Sequence, residues 1–97
     1  MYRKEGNIER VLFKKYSYEL LAEIYTRRKV RFRDLRKACP LDKVRSQRLK
    51  EFERLGLIKR DIEIAKRIPV IWYSITGKGE KVVKLLSELR KIIEEKR

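Results

Sequence analysis

Residues 42–58, DKVRSQRLKEFERLGLI, have the pattern of a basic amphipathic helix with its own start and stop signals. Asp42 is expected to cap this helix, since its carboxylate can accept the unpaired amides of the first turn. Gly56 is the expected stop, because glycine adopts the left-handed helix-ending conformation at little cost. At about 100° per residue, one side of the helix is apolar and the other is polar. The apolar side holds Leu41, Val44, Leu49, Phe52 and Leu55, and the polar side holds Lys43, Ser46, Gln47, Lys50 and Arg54.

After Gly56, the spacing of the apolar residues changes from the spacing of a helix to that of β-strands. Residues 57–65 and 69–75 are rich in Ile, Val and aromatic residues and partly alternate, which predicts a two-stranded hairpin. Lys66 and Arg67 lie at its tip. Thr76 is expected to cap a last helix of about residues 77–95. The apolar residues of that helix follow the spacing of one helical face, and they are Val82, Leu85, Leu86, Leu89, Ile92 and Ile93.

Upstream of residue 42 the pattern is helical again. Apolar spacing predicts a first helix over about residues 8–27, with Ser17 as the place where it would break. Residues 30–32 are long enough only for a short extended piece. A second, short helix follows, with Phe32 and Leu35 on one side, and Pro40 closes it because proline disfavours helical backbone at Cys39. The predicted order is helix, helix, helix, hairpin, helix.

Composition excludes several classes of function. The 97 residues include no His and one Cys, which removes Ser-His-Asp and Cys-His nucleophile pairs and the usual zinc clusters. We therefore expect no enzyme activity, no metal and no cofactor. No apolar run approaches about 18 residues, and residues 1–7 lack the apolar stretch of a signal peptide, so a cytoplasmic protein without membrane contact is expected. The charged fraction of 43%, with one Asn and one Gln, is typical of a thermophile.

The positive charge is concentrated in one third of the chain. The whole chain has 28 Lys and Arg against 14 Asp and Glu, for a net charge of +14. Residues 27–60 alone contain fourteen basic and four acidic residues, for +10. A polyphosphate-binding face requires such concentration, because each neutralised phosphate releases condensed counterions. Nucleic acid is therefore the expected partner, rather than a membrane surface.

Two helices joined by a short turn, the second one basic, followed by a hairpin with a basic tip, describe a winged helix-turn-helix domain. Three segments also suggest a family: FRDLR at 32–36, SQRLKEFERLGLI at 46–58 and YSITGKG at 73–79. Over about residues 16–90 they resemble the HxlR and MarR type winged-helix regulators. The resemblance implies a dimeric transcription regulator that binds a palindrome-like site. That family usually places a redox-sensing Cys near the start of its first main helix, whereas Cys39 lies between the two helices of the turn motif, so redox sensing is not carried over.

The sequence thus predicts a mainly helical α+β fold spanning residues 1–97. Its parts are a helix-turn-helix at about 32–56, a two-stranded wing at about 57–75 and a C-terminal dimerisation helix. The polar side of the third helix is expected to read bases in the major groove. Arg45 and Arg48 fall nearer the apolar side; Arg45 is included as a phosphate contact, whereas for Arg48 packing or pairing with an acid stays an equal alternative. The expected DNA contacts are Lys43, Arg45, Ser46, Gln47, Lys50 and Arg54 on the recognition helix, Lys66 and Arg67 on the wing, and Arg31, Arg33, Arg36 and Lys37 on the flanking backbone.

The last helix is expected to mediate dimerisation. A domain of this size offers no internal partner for the whole of its apolar stripe, so the distal part is best buried against a second copy. Ile8, Val11 and Leu12 of the first helix are possible additions to this interface. The residues expected at the dimer interface are Leu85, Leu86, Leu89, Ile92 and Ile93.

The function predicted from the sequence is sequence-specific binding of double-stranded DNA by a homodimeric transcription regulator. Two alternatives stay open at this point. One is an architectural chromatin protein that coats DNA with little sequence preference, which the high charge also suits. The other is an RNA-binding domain, since winged helices are used there too. The sequence does not indicate the operator, the target genes, the direction of regulation or any small-molecule effector.

Overall fold

The computed structural model describes residues 3–95, with side chains from residue 8 onward, and this part of the chain contains four α-helices and a three-stranded antiparallel sheet. The mainly helical α+β winged helix-turn-helix predicted from the sequence is confirmed. Residues 1–2 and 96–97 of the expected domain lie outside the described residues. The elements in chain order are α1 (Arg3–Leu12), α2 (Ser17–Arg27), β1 (Lys29–Val30), a 3-10 helix (Phe32–Leu35), α3 (Asp42–Arg54), β2 (Ile58–Ala65), β3 (Ile68–Ile75) and α4 (Gly77–Glu94).

The helix predicted over residues 8–27 is two helices, with the break where Ser17 suggested it. Tyr16 has a φ of 74°, a left-handed conformation that no α-helix continues through. The Ser17 side chain is buried, and its hydroxyl donates a hydrogen bond to the carbonyl of Val11. This bond fixes the start of α2 against the end of α1.

The short second helix of the sequence prediction is only a single 3-10 turn followed by further turns. Asp34 stabilises it, because its carboxylate accepts the backbone N–H of Arg31 at 2.9 Å. The predicted cap of α3 is wrong. Leu41 occupies the cap position without a side-chain bond, and Asp42 is the first helical residue. Gly56 ends α3 as expected, with a φ of 79°.

The sheet has one strand more than the predicted hairpin. β3 is its central strand: it pairs with β2 over their full length and with β1 through Lys29 opposite Ser74 and Val30 opposite Tyr73. The hairpin turn consists of Lys66 and Arg67 alone, with φ values of 52° and 68°. Two left-handed residues in succession suit the twist of the flanking strands. The outer half of this hairpin, beyond the end of β1, is the wing.

The buried apolar side chains form one cluster to which every element contributes except β3, whose Tyr73 and Ile75 pack against it half-buried. Those from the helix-turn-helix are Leu35, Cys39, Leu49 and Phe52.

The start of α4 is fixed against Leu57, the residue directly before β2. The carbonyl of Leu57 accepts both the backbone N–H and the hydroxyl of Thr76, and Thr76 caps α4 as predicted by accepting the N–H of Gly79 at 2.9 Å. A Cβ on Gly79 would lie 2.1 Å from the same Leu57 carbonyl, so the close approach requires glycine. Within residues 3–95, no helix combines the length and apolarity needed to cross a membrane.

Candidate nucleic-acid interface

The helix α3 has one buried face and one exposed face. Leu49 and Phe52 lie in the core, at 2% and 0% exposure. Lys43, Gln47, Lys50 and Arg54 are exposed, and Ser46 is half-buried beside them. The four exposed residues follow the spacing i, i+4, i+7, i+11, which aligns them in one stripe about 16 Å long. We call them the α3 stripe.

Arg45 lies in the core rather than in the stripe, which corrects the expected phosphate contact. It is 1% exposed. Its Nε donates to the carbonyl of Cys39 at 2.9 Å, and its Nη2 donates to the carboxylate of Asp42 at 2.7 Å. The guanidinium also stacks over the ring of Phe32, 4.4 Å from its centroid. These contacts link the first turn of α3 to the preceding loop and the 3-10 helix, and at 1% exposure the Arg45 side chain is not available to a phosphate.

Arg48 is paired with an acid, which was one of its two expected roles. Its Nη1 donates to Glu51 at 2.9 Å, and both side chains are about nine-tenths buried. The Glu51 carboxylate also lies 3.8 Å from the Nζ of Lys14, in the turn after α1. Buried charges need such partners, because an unpaired charge in the interior is costly. The pair packs α3 against the N-terminal part of the chain.

The expected DNA contacts divide into paired and unpaired cations. Among the ion pairs within residues 8–95, Arg45 and Arg31 are each matched to a carboxylate, while the other expected cations are not. All of the unmatched ones are exposed. We call this set the free cations: Arg33, Arg36, Lys37, Lys43, Lys50, Arg54, Lys66 and Arg67.

Arg31 is held by Asp34 through two hydrogen bonds, from Nε at 3.2 Å and from Nη2 at 3.3 Å. The bond from the Arg31 backbone N–H, together with this guanidinium, holds the pKa of Asp34 below its usual value. A depressed carboxyl pKa means that the ion pair stabilises the fold at neutral pH and that this contribution is lost as pH falls through the pKa of the folded state. Arg31 therefore stabilises the 3-10 helix through Asp34, and the carboxylate of Asp34 partly compensates its positive charge.

The aromatic residues of β3, Trp72 and Tyr73, are half-buried. The indole N–H of Trp72 donates to Glu63 at 2.8 Å, and the ammonium of Lys29 lies 4.9 Å from the ring centroid. Burial raises the pKa of the Tyr73 hydroxyl. Cys39 is fully buried.

An apolar surface runs along the outer half of α4. Leu85, Ile92 and Ile93 are 67%, 62% and 72% exposed, and Leu89 is 41% exposed. Sequence reasoning missed Phe13, which is 67% exposed and lines an apolar groove of about 320 Å³ together with Leu86, Leu89 and Ile93. The only signal for Phe13 was an aromatic residue placed directly before two lysines. Val11, proposed as a neighbour of this surface, is instead buried in the core at 5% exposure.

A helix-turn-helix with a polar, cation-rich second helix, followed by a basic hairpin, defines a winged helix-turn-helix protein of the DNA-binding class. The family model of the HxlR-like helix-turn-helix matches residues 11–97, and the chain belongs to this family. The family consists of transcription regulators, which bind DNA and are not enzymes.

Solved structures of similar fold agree with this assignment. A transcriptional regulator homologue from Pyrococcus horikoshii OT3 is 28% identical, with 94% of this chain and 92% of that chain covered and a TM-score of 0.75. A candidate MarR-family transcriptional regulator from Porphyromonas gingivalis W83 is 26% identical, with coverages of 99% and 94% and a TM-score of 0.75. The reduced form of the regulator YodB from B. subtilis, 24% identical with coverages of 93% and 88% and a TM-score of 0.70, shares the fold. No curated protein matches this chain.

The burial of Arg45 leads to a prediction that separates its role from that of the stripe. Arg45→Met should reduce the free energy of unfolding by about 1–2 kcal/mol, because the Cys39 carbonyl loses its donor while Asp42, 82% exposed, stays solvated. Arg45→Ala should cost about 2–4 kcal/mol, because it also leaves a cavity. Denaturant unfolding measures both changes.

The matched control is Lys50→Met, which replaces an exposed cation of the same helix. Lys50→Met should leave stability nearly unchanged but reduce the salt dependence of duplex binding by about 0.9 in the logarithmic slope. Arg45→Met should leave that slope unchanged. A slope reduced equally by both variants would contradict the core position of Arg45.

Proposed function

We propose that this protein binds double-stranded DNA sequence-specifically as a homodimer, with α3 in the major groove and the wing tip on the flanking backbone. The observation that carries the proposal is the α3 stripe. Its four side chains are exposed, aligned and, within residues 8–95, free of ion pairs. A stripe of about 16 Å matches a major groove about 12 Å wide and leaves its ends for the backbone.

Within the stripe, Gln47 is the proposed reader of sequence. A Gln side chain can pair bidentately with adenine, and Lys43 and Lys50 on either side can reach base edges or phosphates. Ser46 is half-buried next to Gln47 and can donate or accept from the same side. These residues lie in the first two-thirds of α3, the part of a recognition helix that enters the groove.

The remaining free cations are proposed to hold the sugar-phosphate backbone. Arg33, Arg36 and Lys37 lie in and after the 3-10 helix, directly before α3. Lys66 and Arg67 occupy the turn of the wing, on the other side of α3 along the chain. Contacts of this kind fix the register of a protein on the duplex without reading its sequence. Arg31 can join them only in part, because Asp34 already occupies its guanidinium.

The homodimer is proposed from the apolar surface of α4. The inner part of this helix packs on the core through Val83, whereas Leu85 and Ile92 are exposed. An exposed stripe of this kind is an aggregation liability in a monomer and a closed interface when it meets its symmetry mate. Two copies related by a two-fold axis would place their α3 helices in successive major grooves about 34 Å apart, as a palindromic site requires.

The first prediction concerns sequence specificity. On a duplex selected from a random library, Gln47→Ala should weaken binding by about 1–3 kcal/mol, while binding to random DNA changes little. Lys66→Ala should weaken both about equally, because a phosphate contact carries no sequence information. Equilibrium titrations on the two duplexes measure both effects. Equal losses for Gln47→Ala on the two DNAs would favour an architectural protein that coats DNA without sequence preference.

The second prediction concerns assembly. The double variant Leu89→Glu/Ile92→Glu should be a folded monomer that loses high-affinity binding to a site with two half-sites. The control Lys84→Glu/Lys91→Glu introduces the same residues on the far side of α4 and should stay dimeric. Light scattering gives the oligomeric state, and a native protein that is monomeric at micromolar concentration would refute the dimer.

A further inference from the structure

A cavity of about 500 Å³ lies between α2 and α4. The two helices run antiparallel and are in contact at both ends. The guanidinium of Arg90, near the end of α4, stacks over the ring of Tyr18 at the start of α2, 4.5 Å from its centroid. Arg28, directly after α2, is ion-paired with Glu80 in the first turn of α4. Between these contacts α2 presents the small side chain of Ala22, and we call the open space there the α2–α4 cavity.

The lining of the α2–α4 cavity is polar around a small apolar floor. Val83, at 4% exposure, and the half-buried Ala22 form the floor. A volume of this size is within the range of cavities that bind small molecules, and hydroxyl groups can donate to a ligand or accept from it. The hydroxyl groups belong to Tyr18, Tyr25, Thr26 and Ser87.

Two lysines of α4 border the cavity, one toward each end. Lys84 and Lys91 are seven residues apart, so they share one side of the helix and lie about 10 Å apart along its axis. Both are exposed, and within residues 8–95 neither is ion-paired. Tyr18 and Tyr25 are likewise seven residues apart on α2. Because the helices are antiparallel, Lys91 and Tyr18 border one end, and Lys84 and Tyr25 border the other.

An acidic residue lies between the two lysines. Among the described residues that line the cavity, Glu88 is the acidic one, so two cations and one anion give the lining a charge of +1. A matching ligand has a negative charge at each end and a hydrogen-bond donor near its middle. A ligand with one negative charge would leave one of the two lysines without a partner.

We propose that the α2–α4 cavity binds an elongated organic dianion whose two acidic groups lie about 10 Å apart, one on Lys84 and one on Lys91. An ammonium group that donates to a carboxylate or a phosphate forms a charge-assisted bond, which is stronger than a neutral one. The tyrosine hydroxyl at each end is a second donor for the same acidic group. The residues that line the cavity include neither a proposed DNA contact nor an apolar residue proposed for the dimer, so this site is independent of the proposed function.

The test compares two linear ligands by NMR titration of the isotope-labelled native protein, without DNA. Suberate has a carboxylate at each end of a chain long enough to reach both lysines, and its monomethyl ester keeps the chain but loses one charge. We expect suberate to bind about tenfold tighter than the ester, because only suberate forms a charge-assisted bond at each end. The amide shifts should centre on the facing residues of α2 and α4.

Single substitutions identify the two ends. Lys84→Met and Lys91→Met should each weaken suberate binding about tenfold, while the control Lys81→Met, at an exposed position of α4 outside the lining, should change it less than about twofold. Glu88→Gln should tighten suberate binding, because suberate has no donor near its middle to offset the negative charge of Glu88. Thermal unfolding checks that all four variants are folded.

Three results would overturn the site. They are equal affinity of the native protein for suberate and its ester, amide shifts that lie outside α2 and α4, and a loss of suberate binding in Lys81→Met as large as that in Lys84→Met. The last result would mean that suberate follows the overall positive charge of the protein rather than the cavity. None of these results bears on duplex binding, and a failure of the native protein to select a duplex would leave the cavity site intact.

Discussion

The burial of one face of α3 determines the arrangement of the exposed polar surface of the helix-turn-helix. Leu49 and Phe52 anchor that face in the core, and the stacked guanidinium of Arg45 fills the space beneath its first turns. Once this face is buried, helical geometry leaves one orientation for the remaining side chains. Lys43, Gln47, Lys50 and Arg54 must point outward together, so packing inside the molecule determines the surface that we propose for DNA binding.

The free cations have no carboxylate partner because the neighbouring acids are paired with other arginines. Asp34 neutralises Arg31, Asp42 neutralises Arg45, and Glu51 neutralises Arg48, in each case a cation three residues away along the chain. Each of these pairs fixes the local backbone or lies in the core. Three of the four acids of residues 27–60 thus stabilise the helix-turn-helix itself, and most of the cations without an acid partner are exposed on α3 and the segment before it. Most of the net charge of +10 in this segment is therefore exposed, where it creates a positive potential at the surface rather than repulsion in the interior.

Much of this arrangement could be predicted from the sequence, because the elements follow strong local signals. The spacing of Leu49 and Phe52, the stop at Gly56 and the cap at Thr76 all act within a few residues, and each is present. The misassigned features depend on contacts that periodicity does not record. The guanidinium of Arg45 finds a carbonyl, a carboxylate and an aromatic ring, so a residue normally found at the surface is buried, and Asp42 is drawn from its capping role toward Arg45. A short extended piece was expected at residues 30–32, but its pairing with β3 was missed because two residues are too few to show alternation.

We propose that the free cations form the surface that meets DNA phosphates, and the salt dependence of duplex binding measures how many of them do so. Titrations of the native protein with the same duplex at salt concentrations between about 50 and 200 mM give the logarithmic slope. With most of the eight free cations on phosphates, the affinity should fall about a thousandfold or more over that range. A fall of less than about tenfold would correspond to only one or two phosphate contacts and would contradict this role of the free cations.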